Sequence, residues 1–427
     1  MNSHNEDAEH LLKDNFDEKE ELIKNNDYYE PKEKFEKINE KFQIKEDHEK
    51  LKEENEIFKK YKKNKGIECQ NIEINKKIDS NYIFLMNNLH KIGSNNFMNS
   101  IIQCLLHINE LIYYFLTVYP NIYPSLKKKN INIPTKGEIS ELFYNIINDE
   151  SKKNKNYEND KFFNKKNPLN KNKKQINLLL IDNFQKNISF YKPQFNNYDY
   201  NYPKDMILFL LHSLNEELNY FGNNTSENKN YQNLLDKFYM RNSSIISKLF
   251  YGILEETIKC NSCQTIKNNF QKFELISFNT NDYRKKIFSI SNGLEDMVRP
   301  KKIKNSICDI CENKNDCEYC CKIIEPPNKL LIYIDYNEDS QLRPSKIKIS
   351  ESIDISKYVN YNFGLPIEYE LICICTYNAT CNNNNCTTFC KNREKNKWYK
   401  FNCSSSCECK KDDIYSGNQY LLLYDKI

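Results

Sequence analysis

Two short cysteine pairs constrain this chain more than any other feature: Cys260-Asn-Ser-Cys263 and Cys308-Asp-Ile-Cys311. A Cys-x2-Cys turn lets two thiolates face one point, and two such turns complete a tetrahedron about 2.3 Å from a zinc ion. Four thiolates close the coordination sphere, which implies a structural zinc with no open position for a reacting water. Each pair ends a run with strand character, so the expected local form is a zinc ribbon. Cys317, Cys320 and Cys321 follow closely, and Cys317-Glu-Tyr-Cys320 is itself a Cys-x2-Cys. Spacing alone leaves these three open as competing ligands.

The cysteines are unevenly placed: of 17, only Cys69 and Cys104 precede Cys260. The opening residues, MNSHNEDAEH, carry no apolar segment of the kind that directs secretion. No run approaches the roughly 18 consecutive apolar residues that would cross a bilayer. The expectation is a soluble intracellular protein of the cytoplasm or nucleus, whose cysteines are thiols or metal ligands rather than disulfides. Sixty-three basic and 59 acidic residues are interspersed, which gives no electrostatic case for nucleic acid or for an anionic membrane. Only 8 glycines are present, so each is informative about a place where a side chain does not fit.

Residues 1–82 are dominated by Lys, Glu and Asn and read as a charged arm, helical or disordered. Phe35, Ile38 and Phe42 follow a helical spacing that Lys45 and Glu49 interrupt. From Ile83 onward aliphatic and aromatic residues become frequent. Met98, Ile101, Ile102, Leu105, Leu106 and Ile108 predict a buried helix over 95–116, opened by Ser94 and Asn95. The polar stretch 151–176 reads as a disordered inserted loop. A second helix is predicted over Asp205–Leu218. Beyond Leu249 short β-rich runs dominate: FELISF, KLLIYIDY, SIDI, YELICICTY, KWYKF and NQYLLLY. Residues 83–427 thus read as one α+β domain.

These pieces resemble the ubiquitin-specific proteases (USPs). Gly93-Ser-Asn-Asn-Phe-Met-Asn-Ser-Ile-Ile-Gln-Cys-Leu105 is similar, without insertion, to the family's cysteine box G-N-T-C-Y-M-N-S-x-L-Q-C-L, within a segment taken as 88–105. Leu210-Leu-His-Ser-Leu-Asn-Glu-Glu-Leu218 resembles L-L-D-x-L-H-E-E-L, and Leu249-Phe-Tyr-Gly-Ile-Leu resembles the start of the zinc-bearing fingers, here 249–330. Pro327, sixteen residues after Cys311 and just before Lys329-Leu-Leu-Ile-Tyr-Ile334, reproduces a family spacing that favours Cys308 and Cys311 over the later cysteines. Within 369–427, Trp398-Tyr-Lys-Phe-Asn402 and Gln419-Tyr-Leu-Leu-Leu-Tyr424 resemble the closing boxes. The resemblance implies a papain-like hand with a helical thumb, a β-rich palm and zinc-ribbon fingers.

It also implies a lost reaction. An active member uses a thiolate nucleophile, a histidine base and an Asn or Asp that orients the base. The alignment puts Asn96 at the cysteine, Asn385 at the histidine, Asn402 at the orienting residue and Lys91 at the oxyanion-hole asparagine. A carboxamide is neither a nucleophile at neutral pH nor a group that titrates near it. The six histidines all precede residue 213, whereas this fold supplies its base late in the chain. Removing a triad nucleophile costs about 10⁶ in turnover, and one oxyanion donor about 10²–10³. Tyr200 to Pro203 and Asp335-Tyr336-Asn337 also replace boxes that hold ubiquitin's extended tail. The resemblance therefore implies a pseudo-enzyme that binds ubiquitin or a ubiquitin-like protein without cleaving it. The alternatives are a scaffold for a multiprotein complex that docks through the N-terminal arm, and an active cysteine-type deubiquitinase that uses other residues.

Overall fold

The computed structural model describes residues 83–86, 88–89, 96–159, 169–195, 203–219, 244–284, 286–312, 314–336, 344–360, 366–378, 385–402 and 405–427. For 96, 153–159, 169–178, 315, 378 and 385 it describes the backbone alone. The arm 1–82 lies outside the described residues.

Helices dominate the first half. Helix α1 (Asn96–Leu105) carries Met98, Ile101, Ile102 and Leu105 on one buried face, the 3,4 spacing of a core helix. It does not run on to residue 116 as its apolar pattern predicted. Ile108 is extended, α2 (Asn109–Tyr113) restarts the helix, and the chain turns by 80° at the break. Side chains stabilise this corner: His107 Nδ1 lies 2.7 Å from the Gln103 carbonyl, and Asn109 Oδ1 accepts from Ile83 N–H at 3.1 Å. A π-helical turn (Tyr114–Val118) leads into α3 (Tyr119–Asn130).

The disordered-loop reading of 151–176 is corrected at both ends, because α4 (Glu138–Asn159) runs into it and α5 (Leu169–Tyr191) begins inside it. Polar composition misled there. Lys and Glu are good helix formers, and Ile139, Phe143, Ile146 and Ile147 anchor α4 in the core so that its polar end can propagate. The start of α4 is fixed from α6 (Pro203–Leu218): the buried Glu217 carboxylate accepts from Ile139 N–H at 3.2 Å and Ser140 N–H at 2.6 Å. Burial raises the Glu217 pKa despite those bonds. Ser244 caps the short α7 (Ile245–Phe250) by accepting from Ser247 N–H.

The second half is built from strands: β1 (Gly252–Cys260), β2 (Ile266–Phe273), β3 (Ile276–Asn279), β4 (Ile287–Ser289), then helix α8 (Ile290–Val298), then β5 (Lys301–Ile307), β6 (Lys314–Glu325) and β7 (Lys329–Asp335). There follow β8 (Lys346–Lys348), β9 (Ser352–Asp354), β10 (Glu368–Asn378), β11 (Asn385–Asn392), β12 (Lys397–Phe401), β13 (Ser406–Cys409) and β14 (Asn418–Lys426). The large sheet runs β13-β12-β11-β10-β14-β7-β3, with β9 also on β10. Its strands alternate between two cores, as the period of two requires. Leu331, Cys373, Cys375, Cys390, Leu421 and Leu423 face the helical half. Ile332, Ile374, Phe389, Leu422 and Tyr424 face the opposite core with Phe288 and Leu294. A bulge on β10 between Leu371 and Cys373 lets Ile372 and Cys373 both join the helical side.

The fingers are a separate four-stranded sheet, β2-β1-β6-β5. Its outer strands are almost wholly exposed, so the sheet buries little apolar surface of its own. Where it meets the palm, Gly252 admits no side chain: a Cβ there would lie 2.4 Å from the Phe273 ring and 2.7 Å from the Glu325 carbonyl oxygen.

Candidate functional site

Helix α1 begins at Asn96, and its inner face packs on β11, which begins at Asn385 opposite Asn378 of β10. The side chains of Asn96 and Asn385 lie outside the described residues, as do Lys91 and His90. One turn into the helix the junction is well defined. Ser100 Oγ and Thr388 Oγ1 are 2.7 Å apart, and the Thr388 hydroxyl also reaches the Ser100 carbonyl at 3.0 Å. Phe97 stacks on Tyr377 with centroids 5.5 Å apart and meets the Tyr420 ring edge-on at 5.2 Å. A small cavity with room for about one water is lined by Leu89, Asn99, Ser100, Gln103, Cys386, Thr388, Phe401 and Asn402.

Asn402, expected from the resemblance at the orienting position, thus reaches this cavity. Its Oδ1 accepts from Ser405 N–H at 2.7 Å and from the Ser405 hydroxyl at 3.2 Å, so the carboxamide oxygen closes a local turn. Neither described histidine approaches the cavity as a base. His107 is half-buried just beyond α1 between Phe84 and Phe401, with Nε2 3.0 Å from the Leu85 carbonyl. Burial lowers its pKa to about 4, more than the two carbonyl contacts raise it. His212 sits on α6 beside Glu274, its Nε2 3.0 Å from Oε1. Cys386 lines the cavity and is buried.

At the far end of the fingers the structure brings together Cys260, Cys263, Cys308 and Cys311, whose sulfurs all lie within 4.8 Å of one another. Cys260 and Cys311 are 3.9 Å apart, and Cys263 and Cys308 3.7 Å. A tetrahedron of sulfurs around zinc has edges of about 3.8 Å, so the donor set fits that ion. The two turns share a backbone device: Gln264 (φ 57°) and Glu312 (φ 55°), each following the second cysteine of its pair, are left-handed. Hydrogen bonds from Thr265, side chain and backbone, lower the Cys263 pKa to about 6. Cys317 pairs across the strands with Cys260, and Cys320 and Cys321 lie further along β6; none of the three joins the cluster.

A second group of thiols lies outside the motifs read from the sequence. Cys104 of α1 and Cys373 and Cys375 of β10 are buried with their sulfurs within 4.8 Å of one another. The signal was available: a Cys-x-Cys in a strand puts both side chains on one face.

Comparison with known proteins now bears on this geometry. The family model described as ubiquitin carboxyl-terminal hydrolase matches residues 87–424. Ubiquitin carboxyl-terminal hydrolase 2 of Bos taurus is 22% identical over 361 residues, 79% of this chain and 54% of the bovine protein. Ubiquitin carboxyl-terminal hydrolase 8 of Saccharomyces cerevisiae is 26% identical over 196 residues, 42% of this chain and 41% of the yeast protein. The chain spans about half the length, or less, of these relatives. Among solved structures, the SAGA Ubp8/Sgf11/Sus1/Sgf73 DUB module bound to ubiquitin aldehyde matches with a TM-score of 0.57 and 20% identity, covering 80% of this chain and 69% of that one. With thumb helices, palm sheet and fingers all in place, the chain belongs to the ubiquitin carboxyl-terminal hydrolase family and has the α+β USP fold.

Proposed function

We propose that this chain is a non-catalytic member of its family that grips ubiquitin or a ubiquitin-like protein through the hand-shaped fold. The observation that carries the reading is the pair of carboxamides at the reacting positions. Asn96 opens the helix that should present a thiolate, and Asn385 opens the strand that should present a base. Neither group generates a nucleophile at neutral pH. Among the described residues no imidazole lines the cavity that Asn402 reaches, and its carboxamide oxygen accepts from Ser405 N–H.

The scaffold for binding persists. Ile266, Ile307 and Ile310 are each more than half exposed on the fingers, which leaves apolar surface of the kind a protein partner covers. A structural zinc held by Cys260, Cys263, Cys308 and Cys311 would keep that surface in place by tying the β1 end to the β5 end. The zinc supplies cross-linking and no reaction chemistry, because four thiolates leave no open coordination position. The second reading is a scaffold for a multiprotein complex that has dropped ubiquitin, with residues 1–82 as the docking element. It is favoured by the changed tail-binding boxes and by the make-up of the matching SAGA module, in which Ubp8 is named together with Sgf11, Sus1 and Sgf73. On either reading the protein works inside the cell.

The test is one titration of the purified chain with plain ubiquitin and with a ubiquitin carboxy-terminal electrophilic probe. Binding without an adduct is the expected result. No binding transfers the function to other partners, and an adduct on any cysteine overturns the non-catalytic reading.

A further inference from the structure

The buried thiols between thumb and palm lie far along the chain from the fingers and are supplied by different elements. Cys104 comes from the last turn of α1, while Cys373 and Cys375 come from β10, about 270 positions later, on the face that packs against that helix. All three are at most 1% exposed. Cys390 of β11 lies directly across from Cys373 with the two sulfurs 3.5 Å apart, but it is outside the group whose sulfurs are mutually close. Cys375 Sγ sits 3.6 Å from the Ser100 carbonyl oxygen and 4.0 Å from Thr388 Oγ1. Among the described residues no carboxylate or imidazole joins the three sulfurs.

We infer that Cys104, Cys373 and Cys375 form a three-thiolate site for a soft monovalent cation, Cu(I), which clamps the thumb helix to the palm sheet. The donor set decides the ion. Zinc in a closed protein site takes four ligands, whereas an all-sulfur set of three suits Cu(I), which thiolates select over harder cations. Three sulfurs around one such ion stand about 4 Å apart. The observed group lies within 4.8 Å, so side-chain rotation closes it without moving helix or strand. Rigid elements hold all three ligands, which is what a preorganised site needs. The Cys390 thiol lies 3.5 Å from the Cys373 sulfur and can donate to the excess negative charge. Ion binding would take the proton that Cys375 now directs at the Ser100 carbonyl, so the loaded site would hold helix to sheet through its metal–sulfur bonds in place of that contact.

The experiment uses the full-length chain, reduced and anaerobic, with its finger zinc loaded. It is titrated with Cu(I) against the competing chelator bicinchoninate, and released zinc is measured in parallel. The wild-type chain should take up one Cu(I) without releasing zinc, and X-ray absorption should report three sulfur neighbours. Cys375→Ser and Cys104→Ser should each lose that equivalent, while Cys390→Ser and Cys407→Ser should keep it. Far-ultraviolet circular dichroism and zinc content establish that the variants fold, and the absorption measurement on the wild type needs no variant. The inference is overturned by no uptake, by uptake matched one for one by zinc release, or by uptake undiminished in both Cys375→Ser and Cys104→Ser.

Discussion

Replacing Lys329 with methionine removes the most deeply placed ammonium in the described structure. Lys329 is 2% exposed on β7 and stands directly across from Asp425 of β14. Its Nζ donates to Asp425 and, at 2.6 Å, to Glu110 Oε1 on α2, so one cation ties two palm strands to the thumb. Arg393 completes the group through the other oxygen of Asp425. Burial already pushes the Asp425 pKa up, against the pull of Lys329 and Arg393. Removing one partner of a buried ion pair costs about 3–5 kcal/mol, mostly because the remaining charge stays buried without compensation. Arg393 remains beside Asp425, and the Glu110 side chain is 24% exposed and can turn to water, so the lower end applies, about 3 kcal/mol. Glu110→Gln alone should cost about 1 kcal/mol or less. Adding Asp425→Leu to Lys329→Met should recover most of the loss, since it removes the buried carboxylate, while Arg393 keeps Glu370 at 3.4 Å and Glu110 can turn to water. Urea unfolding followed by the single tryptophan, Trp398, reads this directly, because that residue is buried in the palm core. A loss below about 1 kcal/mol for Lys329→Met, or no recovery in the double variant, would refute the reasoning.

Gly293 of α8 has no room for a methyl group, since a Cβ would lie 2.6 Å from the buried Phe278 ring. Gly293→Ala should therefore cost about 1–3 kcal/mol despite its better helix propensity, and a gain in the urea midpoint would contradict this. His107 has a folded-state pKa of about 4 against an ordinary 6.5, so the unfolded chain takes up its proton first. Stability should fall as pH drops from 6.5 to 4, by roughly 3 kcal/mol from this residue. Urea midpoints across that window should flatten in His107→Gln, and an unchanged profile there would reject the assignment. Stripping zinc with a chelator should speed amide exchange across β1, β2, β5 and β6 while the palm strands stay protected. Equal protection before and after would show that no metal holds the fingers.

The strands were legible because each is short, rich in β-branched and aromatic residues, and bounded by polar turns. KLLIYIDY and NQYLLLY read as β7 and β14 because both faces of those strands are covered and nearly every residue is apolar. The helical half was harder to read. Lys- and Asn-rich ends of α4 and α5 look like loop in composition, and only their anchoring by Phe143, Ile147 and Phe184 makes them helix. The corner at His107 depends on side-chain bonds to carbonyls and to a distant amide, which no periodicity records. The finger cysteines were visible as a pair of local turns. The Cys104 group was not, because its members meet only after the thumb helix docks on the sheet. Nor did Lys329 stand out, since a lone lysine before an apolar run reads as a strand boundary.

The position of β14 has a consequence for how the molecule is made. It is the last strand in chain order, yet it lies between β10 and β7 and hydrogen-bonds to both. During synthesis, which adds about 5–20 residues per second, β7 emerges roughly ninety positions earlier and β10 about fifty. Until β14 arrives, the facing edges of both strands carry unpaired backbone groups on apolar ribbons, the surface that other chains and chaperones recognise. The palm is therefore completed by insertion at its centre, and a nascent chain stopped before residue 418 would keep its thumb helices but present an open sheet.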